Sequence, residues 1–411
     1  MKAVLAVAIA ALLLAAIADR GAASSLVINS NASDPAPRAA WEQAIDGFKA
    51  ANPDVEVRLN VFDHESYKKS IRNWLTSSPP DVVFWFAGTR MRQFVELGLL
   101  QDVSALFTEG VRGEFRPTAV DLVTLNGRQY GVPYAHYHIG LFFRRDLLEK
   151  AGVGAPPADW PAFLAACDKL NAAGIAPIAI GTKDLWPAAA WFDYLDLRTN
   201  GYRFHMELMG GKVAYTDTRV RAVFARWREL LDRRCFVPHH ASAKWQESQA
   251  LLYQGRAAMM LIGSYIVPSF PPDVRNQMDF APFPRINPAV GAYEDAPMNS
   301  LHIPARARNQ DAAKRFLAHV LRADVQEGIN RAILNIPVNR NAAIADDRFL
   351  DAGRKLLNSA DALAQFFDRD TDEELATIAM KGFQEFMLKP ERLDAILSNI
   401  ERARQRIYKP R

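Results

Sequence analysis

Between positions 55 and 61, Val55, Val57, Leu59 and Val61 alternate with Glu56, Arg58 and Asn60. A period of two predicts a half-buried strand. The flanking segments have a longer period. Trp41, Ile45 and Phe48 stand at i, i+4 and i+7 and stop at Asn52-Pro53, and Tyr67, Ile71, Trp74 and Leu75 mark a second such face. Both predict amphipathic helices. Leu26-Val27-Ile28-Asn29 reads as a short strand opening into the polar turn Ser30–Pro35. Pro79-Pro80 halts the second helix, and Val82 to Phe86 is then an unbroken apolar run, too short to span a membrane. Such a run predicts a strand covered on both faces. Met91, Phe94 and Val95 give another helix, closed at Gly98. The order β-α-β-α-β-α predicts a parallel sheet with right-handed crossovers and with its strand-to-helix loops along one edge.

Beyond this unit, Asn126-Gly127 predicts a tight hairpin. Gly131 to His138 is extended and rich in aromatics and leads into the strand Ile139–Phe143, which suits a crossing between two lobes. In a continuous strand Tyr134, His136 and His138 would share one face. The alternation then resumes: a helix carrying Trp160, Phe163, Leu164 and Leu170, a strand from Ile175 to Ile180, the loop Gly181–Pro187, and a helix containing Trp191. Val220, Phe224, Trp227 and Leu231 form another helical face, and Ala257–Ile262 a strand opening at Gly263-Ser264-Tyr265. The aperiodic stretch Asp279–Pro304 and the segment Ile336–Arg340 predict two further crossings, with helices over Ala312–Val325, Leu375–Met387 and Leu393–Ile407.

The chain has 411 residues, more than one hydrophobic core usually serves, so two domains are expected. Its net charge of +4 comes from 50 basic and 46 acidic side chains that are interspersed, without a basic stripe, which argues against a nucleic-acid surface. Lys2, the apolar run Ala3–Ala18 and the small residues around Gly21–Ser24 have the three regions of a secretory signal cut after Ala23. No cysteine follows that run, and no second long apolar run exists, so a soluble exported protein is expected. Cys167 and Cys235 are the only cysteines, open to pairing as one disulfide or to burial as two free thiols.

Candidate chemistry gathers at the strand ends. Trp85 and Phe86 run into Gly88 and Arg90 at the carboxyl end of the apolar strand, where open α/β sheets hold ligands. Trp85 reads either as a binding floor or as ordinary core. Trp41, Trp74, Trp160 and Trp227 fit apolar helix faces and read as core.

Pro80-Asp81-Val82-Val83 leading to Phe86-Ala87-Gly88, Gly127–Pro133 leading to Leu141-Phe142-Phe143, Gly210-Gly211-Lys212 through Trp227, and Gly255–Met259 ending in Gly263-Ser264 carry a resemblance. In order and spacing the chain resembles the extracellular solute-binding proteins of bacterial ABC transporters, in the carbohydrate-uptake class that includes maltose-binding proteins. The resemblance implies a two-lobe α/β periplasmic-binding-protein fold of type II, each lobe a mostly parallel mixed sheet flanked by helices, joined by three crossings. It implies a signal peptide over 1–23, one lobe from 24–135 and 298–340, and the other from 136–297 and 341–411. It implies a periplasmic monomer that closes on a mono- or oligosaccharide and delivers it to permease subunits in the inner membrane, with no cofactor, no bound metal and no catalysis.

A pyranose offers apolar C–H faces and a rim of hydroxyls, so aromatic rings and hydrogen-bonding side chains are the expected wall. By position the stacking residues are Trp85, Trp186 and Tyr265, and the hydroxyl partners Asp34, His64, Arg90, His136, His138, Asn299 and Arg340. Against these stand plainer roles: Asp34 and Asp184 as helix caps, and Arg90 as surface cover. Where many relatives carry a Gly-Gly turn and a tryptophan before the final crossing, this chain reads Pro297-Met298-Asn299-Ser300-Leu301-His302, which removes a stacking group and leaves ligand size open. Two other classes were weighed. His136 and His138, with His64 nearby, suggest a periplasmic metal-binding protein. A carbohydrate-active enzyme needs a positioned carboxylate pair, whereas Asp193 and Asp196 read as a solvated helix face and Glu294-Asp295 as loop.

Overall fold

The period-two and unbroken apolar runs pair as their patterns require, in a computed structural model that describes residues 24–409. The expected export signal over 1–23 lies outside the described residues. In chain order the strands are β1 (Ser24–Ser30), β2 (Val55–Val61), β3 (Val82–Phe86), β4 (Thr124–Leu125), β5 (Arg128–Gln129), β6 (Val132–His136) and β7 (Ile139–Arg144). There follow β8 (Ala176–Ile178), β9 (Ala257–Gly263), β10 (Met278–Ala281), β11 (Tyr293–Asp295), β12 (Met298–His302), β13 (Ile336–Pro337) and β14 (Ala362–Ala364).

The first lobe is a six-stranded sheet in the order β13-β6-β12-β3-β1-β2. β1 runs parallel to β2 and β3, and β12 inserts antiparallel between β3 and β6. Pattern and position agree: all five residues of the inner strand β3 are buried, while the edge strand β2 is half-buried. Helices Pro35–Ala51, His64–Ser77 and Thr89–Glu96 return the chain between strands. The β4–β5 hairpin turns on Asn126 (φ 51°) and Gly127 (φ 76°), the two left-handed positions that a type I′ turn demands.

The second lobe is a four-stranded sheet in the order β10-β7-β9-β8, covered by helices that include Trp160–Ala172, Trp186–Thr199 and Glu373–Leu388. One core joins residues of 26–135 to residues of 298–338, and the other joins 137–283 to 349–403. The chain passes between them after β6, between β10 and β12, and after β13.

Several local expectations are corrected. The helix expected over Ala312–Val325 is two helices, Gln310–Leu321 and Ala323–Ile333, broken at Arg322, whose backbone is extended. The strand expected from Ile175 to Ile180 is only Ala176–Ile178. Of the two readings left open for Cys167 and Cys235, the structure shows the second, buried free thiols. Asp193 and Asp196 do not form a solvated face: their helix is buried continuously from Pro187 to Arg198, and both carboxyl groups are fully enclosed. A run of small and aromatic residues on every side of that helix (Ala188, Ala189, Ala190, Trp191, Phe192, Tyr194) is what a fully enclosed helix needs.

Candidate binding cleft

A cavity of about 430 Å³ opens between the lobes. Its first-lobe wall comes from the loop after β1 (Asn31, Asp34), the start of the helix after β2 (His64, Lys68), the end of β3 (Trp85, Phe86) and Asn299 of β12. Its second-lobe wall comes from Trp186, Trp245, Tyr265, Phe366, Asp368 and Arg369, with Tyr137 from the first crossing. Six of the ten residues expected from sequence therefore come together here: Asp34, His64, Trp85, Trp186, Tyr265 and Asn299.

The aromatic groups form connected surfaces. Trp186 and Trp245 meet edge to face at 6.1 Å, Trp245 meets Tyr265 at 5.4 Å, and Tyr265 meets Tyr137 at 5.2 Å. Across the gap Trp85 stacks on Phe86 at 4.7 Å. Trp85 is both core and floor: it is only 2% exposed and packs against Tyr67 and Phe94, yet it lines the cavity. Its indole Nε1 is buried with no hydrogen-bond partner among the described residues, an unmade bond that costs this apolar wall some stability.

The polar groups differ in what they have left to offer. Asp34 takes the N-cap position of its helix but makes no side-chain cap bond, so its carboxylate is free to face the cleft. Burial, then repulsion from Asp63, raises its pKa. His64 Nδ1 lies 3.1 Å from the Asn31 amide nitrogen. Burial, reinforced by Lys68 and Arg369, pushes its pKa down to about 3, so the ring is neutral. With Asn31 donating to Nδ1, the proton sits on Nε2, a donor for a ligand oxygen. Asn299 Oδ1 accepts from Arg369 Nη1 at 3.2 Å.

The remaining four expected residues stand elsewhere. Arg90 is buried behind the floor, 5.2 Å above the Trp85 ring, with Glu373 at 3.1 Å and the Asp368 carbonyl at 3.1 Å. His136 lies at the end of β6 between Met298 and Ile336, outside the cavity wall, and burial lowers its pKa to about 4. His138 is fully buried in the second lobe, edge to face with Phe280 at 4.7 Å and hard against Gly353. Burial takes its pKa to about 3. The shared face expected of Tyr134, His136 and His138 fails because β6 ends at His136 and β7 starts at Ile139, so the period of two breaks at Tyr137 and His138. Tyr134 and Tyr137 reach the cavity instead. Arg340 is exposed and donates to the Gly113 carbonyl, stapling a surface loop.

Among the wall residues that escaped the sequence reading are Trp245, Lys68, Asp368 and Arg369. Trp245 had a readable sign, since it opens its helix after a loop as Trp186 does. The segment Phe366–Asp370 looks like any helical stretch, and nothing local marks Arg369 as a crosspiece. Asp184 is no side-chain cap, because Leu185 (φ 67°) precedes the helix and its first turn has no cap bond from a side chain.

Neither alternative chemistry gains a site. His136 and His138 diverge into different surroundings, and among the described residues no group of three His, Cys, Asp or Glu side chains is placed to hold a metal. Asp193 and Asp196 lie within the second lobe around His205, whose Nδ1 is 3.0 Å from Asp196, away from the cavity wall.

Comparison with known proteins fits this geometry. Residues 31–327 match the model of a family described as bacterial extracellular solute-binding proteins. An uncharacterized ABC transporter extracellular-binding protein of Pyrococcus horikoshii is 25% identical over 313 residues, which is 74% of this chain and 69% of that protein. The structure of the bacterial solute receptor AcbH, described as having an exclusive preference for β-D-galactopyranose, superimposes with a TM-score of 0.89 at 29% identity, covering 94% of this chain and all of that one. A chitin oligosaccharide binding protein shares the fold with a TM-score of 0.87 at 20% identity, over 94% of this chain and 99% of that one.

Proposed function

The chain belongs to the bacterial extracellular solute-binding proteins, and from that premise we propose that it captures a carbohydrate between its lobes and releases it unchanged to a transporter. The observation that carries the reading is the pairing of two unlike walls. Trp186, Trp245 and Tyr265 supply ring faces and edges, while Asp34 and His64 Nε2 supply unspent hydrogen-bonding atoms. Rings cover the C–H faces of a pyranose, and polar groups left unpaired by a wrong ligand disfavour it.

Hinge closure follows from the three chain passages, since binding proteins of this architecture move as two bodies about short connecting segments. A ligand shifts such an equilibrium only through contacts it makes to both lobes together. The likeness to a galactopyranose receptor at 29% identity favours a small sugar of that kind. Delivery to permease subunits, a periplasmic location and a monomeric state complete the proposal. Among the described residues no helix is long and apolar enough to cross a membrane.

The test is a thermal-shift screen of the mature chain over a saccharide library, followed by calorimetry and product analysis on each hit. Saturable binding with the sugar recovered intact is the expected result. A folded protein that no mono- or oligosaccharide stabilises, or one that converts the sugar, overturns the reading.

A further inference from the structure

Every cation on the cleft wall is already engaged. Lys68 stands 3.0 Å from Glu65 and 3.7 Å from Asp368. Arg369 gives its donors to the Tyr137 hydroxyl, the Asn299 side chain and the Met298 carbonyl. At the rim Lys244 faces Asp63 at 3.9 Å. Arg90, behind the floor, is held by Glu373 and the Asp368 carbonyl. His64 is uncharged. Asp34 is the exception, a carboxylate on the wall with no side-chain cap bond to its helix and no ion pair among the described residues.

The helix that starts beside Asp34 adds a second, independent observation. A helix N-terminus normally offers unpaired amide N–H groups to an anion. Here the first four positions are Pro35, Ala36, Pro37 and Arg38. The Arg38 amide makes the first regular helical bond, to the Asp34 carbonyl at 3.0 Å, and the two prolines have no N–H. The end of the helix dipole that would attract a carboxylate or phosphate has therefore lost two of its four free donors, and a carboxylate of the protein stands in front of it.

We infer that the cleft selects uncharged ligands and rejects their carboxylate and phosphate derivatives, with Asp34 as the specificity-determining residue. The inference rests on the carbohydrate reading above. An anionic ligand entering here would give up water without gaining a free cation, and would meet Asp34. A neutral sugar hydroxyl donates to Asp34 instead, a charge-assisted bond that an acidic group in its place forfeits.

Calorimetry on the mature chain with matched pairs that differ only at C6 tests this: D-galactose with D-galacturonate, D-glucose with D-glucuronate, D-mannose with D-mannuronate, and otherwise each further neutral sugar that binds with its own uronate. For whichever neutral member binds, its acid should bind at least about 100-fold more weakly, as expected where like charges are brought together. In Asp34→Asn that ratio should fall below about 10-fold, through a gain for the acid. Asp34→Ser, which keeps a residue suited to a helix start, repeats the measurement if the amide variant is misfolded. An acid binding the native protein as well as its neutral partner overturns the inference while leaving the carbohydrate reading intact. So does a ratio unchanged in a folded Asp34 variant. If no saccharide of the library, in these pairs or outside them, binds the folded protein, both fall.

Discussion

The guanidinium of Arg369 lies 3.9 Å over the ring of Phe86, a second-lobe cation resting on a first-lobe aromatic face. The same group donates to the Tyr137 hydroxyl at 2.9 Å and to Asn299 Oδ1 at 3.2 Å. One side chain thus ties together the segment Phe366–Asp370, the first crossing, β12 and the cleft floor. Only a planar fork can serve these directions at once. Arg369→Lys should therefore cost about 1–3 kcal/mol of stability and weaken ligand binding in step. Denaturant titration and calorimetry measure the two effects; a variant as stable and as tight as the native protein would remove Arg369 from this role.

Trp186 and Trp85 should respond differently to truncation. Trp186 is half-buried at the start of its helix, so Trp186→Ala should leave the fold in place and weaken sugar binding by about 1–3 kcal/mol. Trp85 is packed on Tyr67, Phe86 and Phe94, so Trp85→Ala should in addition lower stability by about 3–5 kcal/mol. The sequence leaves Trp85 readable as binding floor or as core, and its burial makes it both. Parallel melting and binding curves separate the two outcomes.

Acidification should weaken ligand capture. Burial and Asp63 raise the pKa of Asp34 above its ordinary 3.8. A ligand hydroxyl favours the ionised carboxylate, so the complex binds fewer protons than the free protein at this site. Affinity is accordingly full well above the raised pKa and falls as pH drops through it. Titrations at several pH values should show this loss in the native protein and its absence in Asp34→Asn.

A second pH effect belongs to stability rather than binding. Asp295, fully buried beside the second crossing with both carboxyl oxygens unpartnered, has its pKa pushed up to about 8, chiefly by burial, with Asp370 and Glu294 adding to it against His205. The folded chain therefore holds a proton that the unfolded chain releases near the ordinary 3.8. Its contribution is fully present below that value and is lost as pH rises towards 8. Asp295→Asn should flatten this decline in denaturant unfolding measured across the range. An unchanged slope would show that other members of the cluster carry the proton.

The fold was largely legible because its signals are local. Alternation in Val55–Val61, the unbroken run Val82–Phe86 and Asn126-Gly127 each specify an element without reference to the rest of the chain. The cleft was legible where a residue sits just past a strand or at the start of a helix, as Asp34, His64, Trp85 and Trp186 do. It was not legible where the decision is tertiary. His138 and Tyr137 are neighbours of similar polarity, and which of them turns inward depends on where β6 ends. Asp193 and Asp196 look like a wet helix face until the second lobe wraps around them, and Arg369 acquires its partners only from distant strands.

The place of β12 between β3 and β6 has a consequence for how the chain is made. When synthesis has reached His136, four of the six strands of this sheet exist, but β12, which joins β3 to β6, is still more than a hundred and fifty residues away, and β13 lies further still. Both flanking strands present open edges until then, and neither can be completed locally. A nascent chain so built cannot close its first sheet until late in its elongation, and a fragment ending before Met298 should aggregate rather than fold.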